Sequence, residues 1–149
     1  MAPGRRIAFD FGDVRIGVAI TDPSGTLASP LNFIPNSEEN LDRDLKALYE
    51  EYLPLYTAIG FPIHLSGSAS EKSVSVSKFA ERISEISKAP IYLIDERLTS
   101  VSANRTLREA GLNSKAARSE IDSMAATAIL DSALNQERLQ GEPMNRFMK

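Results

Sequence analysis

The spacing of apolar residues near the start of the chain predicts three short strands. From Arg6 to Phe11, large apolar side chains occupy every second position, which is typical of a strand with one buried face. A turn then leads into a second strand from Arg15 to Thr21. Turn residues from Asp22 to Gly25 precede a third strand from Thr26 to Ile34, interrupted at Pro30 because proline cannot donate to a strand ladder. The chain is therefore predicted to open with an antiparallel meander.

Helical and extended patterns alternate in the rest of the chain. A helix is predicted to start at Ser37, whose hydroxyl would cap it, and to stop before Pro54. The later elements are a strand from Leu55 to Phe61, a helix ending near Pro90, a strand from Ile91 to Ile94, and helices over about 100–110 and 119–136. Strands separated by helices favour parallel pairing. This order predicts an α/β fold, in which helices cover both faces of a mixed five-stranded sheet.

Composition bounds the organisation and the chemistry. A chain of 149 residues is expected to form a single domain over residues 1–149, with 137–149 as a frayed, flexible tail. It has no cysteine and only one histidine, His64, so any metal site must be rich in oxygen ligands. No apolar run is long enough to cross a membrane, and the N-terminus lacks the pattern of a secretory signal. We therefore expect a cytoplasmic protein with no membrane partner.

Three acidic residues stand out because each occupies an unusual position. Asp10 lies inside an apolar strand, where a carboxylate is costly to bury without compensation. Glu96 follows a buried strand, at the sheet edge where α/β proteins bind ligands, and Asp122 is on the last helix. Such carboxylates could hold a pair of Mg²⁺ or Mn²⁺ ions for phosphoryl transfer, since these cations prefer oxygen ligands.

Each of these residues also has a plainer interpretation. Asp10 could merely shape the turn at Gly12, and Glu96 could form a solvated ion pair with Arg97. The spacing from Ser119 to Asp122 equally matches a helix capping box.

The net charge of −3 gives no general attraction to a polyanion, so nucleic acid would need a local basic patch. Two of the basic candidates are three residues apart on a predicted helix and share a face, although such arginines are equally typical of a solvated helix face. The candidate substrate-binding residues are Arg15, His64, Arg97, Arg105, Arg108, Lys115 and Arg118.

Several strings together resemble one bacterial family. They are Asp-Phe-Gly-Asp-Val-Arg-Ile-Gly-Val-Ala-Ile-Thr-Asp at 10–22, Ile-Gly-Phe-Pro-Ile-His-Leu-Ser-Gly at 59–67, Asp-Glu-Arg-Leu-Thr at 95–99, Leu-Arg-Glu-Ala-Gly at 107–111 and Ile-Asp-Ser-Met-Ala-Ala at 121–126. In this order they resemble the YqgF or RuvX family, described both as Holliday-junction resolvases and as pre-16S rRNA nucleases. The resemblance covers roughly residues 6–135.

This resemblance implies a ribonuclease-H-like fold and a metal-dependent nuclease, whose acidic positions match Asp10, Glu96 and Asp122 here. It implies a cytoplasmic role in maturing the 5′ end of 16S rRNA, with four-way DNA as the alternative substrate. Expected partners are pre-rRNA or branched DNA and ribosomal proteins, for a monomer or weak homodimer. The sequence departs from the family pattern at Asp13, at His64 and in the sparsely basic segment 113–118.

Two other functions compete with a nuclease. The opening hairpin resembles the first phosphate loop of actin-like and sugar-kinase-like ATPases, but those enzymes need two lobes to enclose a nucleotide. A non-catalytic RNA-binding factor for ribosome assembly is the other alternative, because carboxylates alone do not demonstrate turnover.

Overall fold

The computed structural model describes residues 1–62, 70–98 and 115–148, with the backbone alone for residues 98 and 115–122. The strands are β1 (Ile7–Phe11), β2 (Arg15–Thr21), β3 (Ala28–Pro35), β4 (Thr57–Phe61) and β5 (Ile91–Asp95). The helices are α1 (Leu41–Tyr52), α2 (Glu71–Ile86) and α3 (Lys115–Gln140), and a single 3₁₀ turn (Glu96–Leu98) follows β5. The helix predicted over about 100–110 lies outside the described residues. Within the described ranges, no helix combines the length and apolar character needed to span a bilayer.

The strands form one five-stranded sheet in the order β3-β2-β1-β4-β5. β1 pairs antiparallel with β2, which pairs antiparallel with β3, whereas β1–β4 and β4–β5 are parallel. This mixed sheet confirms the predicted meander followed by parallel crossovers. Pro30 is accommodated inside β3 because β3 is an edge strand, so one of its sides needs no donor.

Each face of the sheet is covered by helices, as predicted. α1 and α2 pack on one face, where Leu45, Phe79 and Ile83 meet the larger side chains of the strands, such as Phe9 and Ile59. α3 packs on the other face, where the sheet contributes small residues, namely Ala8, Ala19 and Ala58. These small side chains allow a long helix to lie close to the strands.

Two helices begin earlier or later than predicted. α1 starts at Leu41 rather than Ser37, because the Ser37 carbonyl accepts bonds from the N–H groups of Asn40 and Leu41 in a preceding turn. Asn40 is the N-cap and makes no side-chain capping bond. α3 begins at Lys115, before the predicted start near Ser119.

The C-terminal segment differs from the frayed tail that was expected. α3 continues to Gln140, and Glu137 is buried against Arg6, with Oε2 2.7 Å from the Nη2 atom. Beyond the helix, Leu93 donates to the Asn145 carbonyl at 2.9 Å and Phe147 donates to the Ile91 carbonyl at 2.7 Å. The segment therefore covers the edge of β5, whose backbone groups would otherwise lack partners.

Candidate catalytic site

Asp10 lies near the carboxyl end of β1, on the face of the sheet that α3 covers. Side chains alternate along a strand, so Asp10 shares this face with Ala8, which packs in the α3 cluster. Its directly opposed residue on β2 is Gly17, which has no side chain to fill the space beside it. Asp10 is only 6% exposed. The Asp10 carboxylate is therefore buried near the carboxyl end of a strand whose other side chains are apolar.

Glu96 comes from the 3₁₀ turn after β5 and is 8% exposed. A Cβ atom placed on Gly60 of β4 would lie 3.2 Å from the Oε1 atom of Glu96, so the carboxylate rests against the β4 backbone. Phe9 pairs with Ile59, which places Gly60 beside Asp10 on the adjacent strand. Neighbouring strands are about 4.8 Å apart. The structure thus brings Asp10 and Glu96 to the same end of the same face.

Gly60 is a site residue that the sequence interpretation missed. Its lack of a side chain is what allows the Glu96 carboxylate to approach the sheet. A glycine inside a strand often marks such a close approach. That signal was present in the sequence, in the middle of the strand from Leu55 to Phe61.

The path of α3 bears on the third carboxylate, Asp122, whose side chain lies outside the described residues. The Ser123 hydroxyl donates to the Leu31 carbonyl on β3, and Ile129 packs against Gly60 on β4. Between these contacts the helix must cross β2 and β1, near Asp10. Position 122 is one turn before Ala126, which is fully buried. The capping-box interpretation of Ser119 is wrong, because the helix has already begun at Lys115.

Arg97 is paired with Asp95 instead of Glu96. Its Nη2 atom lies 2.8 Å from Asp95 Oδ2, and its Nε atom lies 3.1 Å from both carboxylate oxygens. The hydrogen bonds from the Arg97 side chain hold the pKa of Asp95 below its usual value. The proposed Glu96–Arg97 pair is therefore not formed, and Asp95 is a second residue that the sequence interpretation missed. Arg97 itself remains half-exposed beside the site.

Arg15 lies on β2 at the same end of the sheet. Along β2 it alternates with Ile16 and falls on the face of Ala19, which is the α3 face. The centre of its guanidinium lies 5.1 Å from the ring centroid of Phe33. Of the other basic candidates, His64, Arg105 and Arg108 lie outside the described residues, and the side chains of Lys115 and Arg118 are likewise outside them.

The ligand atoms that the described side chains offer are of the type that a hard divalent cation prefers. Among them there is no group of three or more acidic or histidine residues that would complete a metal site. Asp10 and Glu96 nevertheless offer carboxylate oxygens on one face, which are the ligands that Mg²⁺ and Mn²⁺ prefer. A third ligand from position 122 would come from the helix that crosses this face.

The chain is similar to known proteins over most of its length. A family model described as "RuvX: Holliday junction resolvase" matches residues 4–136. The chain belongs to this family. Relatives from Streptomyces avermitilis and Streptomyces coelicolor, both named "Putative pre-16S rRNA nuclease", are 44% and 41% identical to it. The alignments cover 95% and 96% of this chain and 92% and 87% of the relatives.

The fold is shared with solved structures of RuvC. RuvC of T. thermophilus, in complex with a Holliday junction substrate, superposes with a TM-score of 0.62 at 12% identity. The match covers 94% of this chain and 98% of that chain. A second Thermus thermophilus RuvC structure gives a TM-score of 0.55. The predicted ribonuclease-H-like fold is thereby confirmed.

Proposed function

We propose that this member of the RuvX family is a nuclease that hydrolyses phosphodiester bonds in nucleic acid. The observation that carries the proposal is that two buried carboxylates, Asp10 and Glu96, lie on one face of the sheet at the carboxyl end of the parallel strands. Two carboxylates on one face at the same end of a sheet offer the oxygen ligands that a divalent cation prefers. A protein retains such a pair where the charges have a chemical use.

In this proposal Asp10, Glu96 and Asp122 hold the cations. A bound pair of Mg²⁺ or Mn²⁺ ions would stabilise the attacking and leaving oxygens during displacement at phosphorus. The protein's own contribution is to orient the carboxylates. The β1 backbone carries Asp10, and the Gly60 position carries no side chain that would push Glu96 away.

We further propose that the substrate is the 5′ precursor segment of 16S rRNA, processed in the cytoplasm. Support comes from the names of the relatives that align over most of their length. Arg15 and Arg97, exposed in part at the same end of the sheet, are suited to contact phosphates flanking the cleaved bond. Ribosomal proteins would then help to present the RNA.

Four-way DNA is the second candidate substrate. The description of the matching family and the fold shared with RuvC favour it. Choosing between RNA and branched DNA requires a direct comparison of the two substrates.

The decisive experiment measures cleavage of a 16S 5′ precursor, a random single strand and a four-way DNA junction, with Mg²⁺, with Mn²⁺ and with a chelator. The variants are Asp10→Asn and Glu96→Gln, and Asp131→Asn on the exposed side of α3 is the control with the same charge change. We expect cleavage of the precursor by the wild type and the control, and its loss in the site variants and in the chelator. Turnover that is unchanged in Asp10→Asn would overturn the nuclease proposal in favour of an RNA-binding factor, and preferred cleavage of the junction would replace the rRNA assignment.

A further inference from the structure

A cavity of about 290 Å³ lies between α1 and α2, on the face of the sheet opposite Asp10. Phe11 forms part of its lining, and Phe11 directly follows Asp10 in β1. Side chains of consecutive strand residues point to opposite faces, while their Cα atoms are only about 3.8 Å apart. The cavity and the candidate catalytic carboxylate therefore lie on opposite faces of the sheet, at the same end of β1.

The lining combines an aromatic ring with polar groups. The half-buried Phe11 ring is fixed by Phe79, with the ring centroids 4.9 Å apart and the planes inclined at 42°. The Asn36 amide is oriented by donating to the Gly12 carbonyl at 2.8 Å. Ser75 completes this side of the cavity. An aromatic surface next to amide and hydroxyl groups suits a nucleobase, which has both a flat face and polar edges.

The charges in the cavity suit a single phosphate. Arg82 is engaged by two carboxylates, with Nη2 2.9 Å from Glu38 Oε1 and Nε 3.5 Å from Asp42 Oδ1. Lys78 lies one helical turn before Arg82, is exposed, and makes no ion pair within the described part of the chain. Arg82 with its two carboxylates carries a net charge of −1, and Lys78 brings this group of four side chains to neutrality. Lys78 is the cation of the lining that no described carboxylate holds, so it can contact one phosphate but the group does not suit a polyphosphate.

We propose that this cavity binds one nucleotide of a single-stranded segment of the substrate, with the base against Phe11 and its phosphate at Lys78. The strand would pass over the turn at Gly12, so that a neighbouring phosphate lies at Asp10. This proposal rests on the proposed nuclease function, because the cavity would hold the nucleic-acid strand that the nuclease cleaves, at a nucleotide beyond the cleaved bond. It makes an unpaired nucleotide next to the cleavage point a requirement for tight binding.

The test compares Lys78→Gln with Lys88→Gln, since Lys88 is exposed just beyond the far end of α2 and its loss changes the net charge equally. Binding of a fluorescent single-stranded RNA and of a fully paired RNA duplex is measured by anisotropy over a salt series, without divalent ions so that no cleavage occurs. We expect Lys78→Gln to weaken single-strand binding by about 2- to 5-fold and to lower the salt slope by about 0.7. Binding of the duplex, and binding by Lys88→Gln, should match the wild type.

The aromatic contact is tested with Phe11→Leu, which keeps an apolar side chain in the core. We expect single-strand binding to weaken by about 5-fold or more, with thermal unfolding recorded to show that the variant is folded. A strand carrying 4-thiouridine should photocross-link to the peptide that contains Phe11. Equal effects of Lys78→Gln and Lys88→Gln, or cross-links only elsewhere, would overturn the cavity proposal. Because binding is measured without cleavage, this result is independent of whether Asp10→Asn abolishes turnover.

Discussion

A single methyl group added at Gly60 would press on Glu96 and on α3 at the same time. In Gly60→Ala the new Cβ would lie 2.5 Å from the Ile129 Cδ1 atom and 3.2 Å from Glu96 Oε1. The first separation is too short for a real contact, so the end of Ile129 must move. The second is tight, so the carboxylate must retreat by a few tenths of an ångström.

The size of the effect follows from these contacts and from a third, with Ile129 Cγ1 at 3.2 Å. Forcing a methyl group into a packed interior costs about 1–3 kcal/mol. Replacing glycine by alanine also stabilises the fold by about 0.4–1 kcal/mol, because it lowers the conformational entropy of the unfolded chain. We expect a net loss of about 1–2 kcal/mol in the free energy of unfolding. Displacing the Glu96 carboxylate should in addition weaken Mg²⁺ binding by about tenfold.

The double variant Gly60→Ala with Ile129→Val separates the two effects. Valine lacks the Cδ1 atom, so it relieves the contact at 2.5 Å. It keeps the γ-carbon at 3.2 Å and leaves the contact with Glu96, also at 3.2 Å. Urea unfolding without divalent ions should show the double variant close to Ile129→Val alone, which itself costs about 0.5–1.5 kcal/mol. Calorimetric titration should show Mg²⁺ affinity still reduced in the double variant.

Two results would refute this reasoning. Wild-type Mg²⁺ affinity in both Gly60→Ala variants would show that the position of the Glu96 carboxylate is irrelevant to the metal. If Gly60→Ala alone were more stable than the wild type, α3 would not be tightly packed on β4.

Three further changes have outcomes that the structure predicts. Asp10→Asn, measured by chemical denaturation in a chelator, should leave the free energy of unfolding unchanged or raise it, because it relieves repulsion between neighbouring carboxylates; a large loss would instead make Asp10 a structural acceptor. Glu137→Ala should destabilise the fold by about 3–5 kcal/mol in thermal or urea unfolding, because it leaves the Arg6 charge buried without the carboxylate that balances it. In Asp22→Asn the free energy of unfolding should fall less steeply than in the wild type as the pH is lowered. Backbone N–H groups, that of Thr26 foremost, lower the pKa of Asp22, so its contribution is present above the ordinary aspartate pKa and disappears as the pH falls through the lower folded value; urea midpoints between about pH 2 and pH 5 would check this.

The strands and their succession along the chain were predictable from local spacing. Alternation over residues 6–11 and 15–21 sets which side chains share a face, and this depends only on neighbours in the sequence. The same rule identified Asp10 as a carboxylate inside a strand and Glu96 as a residue at a strand end. The roles of Asp122 and of the basic residues from 105 to 118 stay predictions.

Only the tertiary structure decided which groups meet. The sequence placed Glu96 beside Arg97, whereas folding turned Arg97 back to Asp95 and laid Glu96 against Gly60, which is far from it in the chain. It also turned the expected tail into a docked segment, because Glu137 satisfies the buried charge of Arg6, 131 positions away. Local spacing determines the face on which a side chain lies. A charged side chain can be buried only where the folded chain brings a partner within hydrogen-bonding distance, and that depends on residues far away in the sequence.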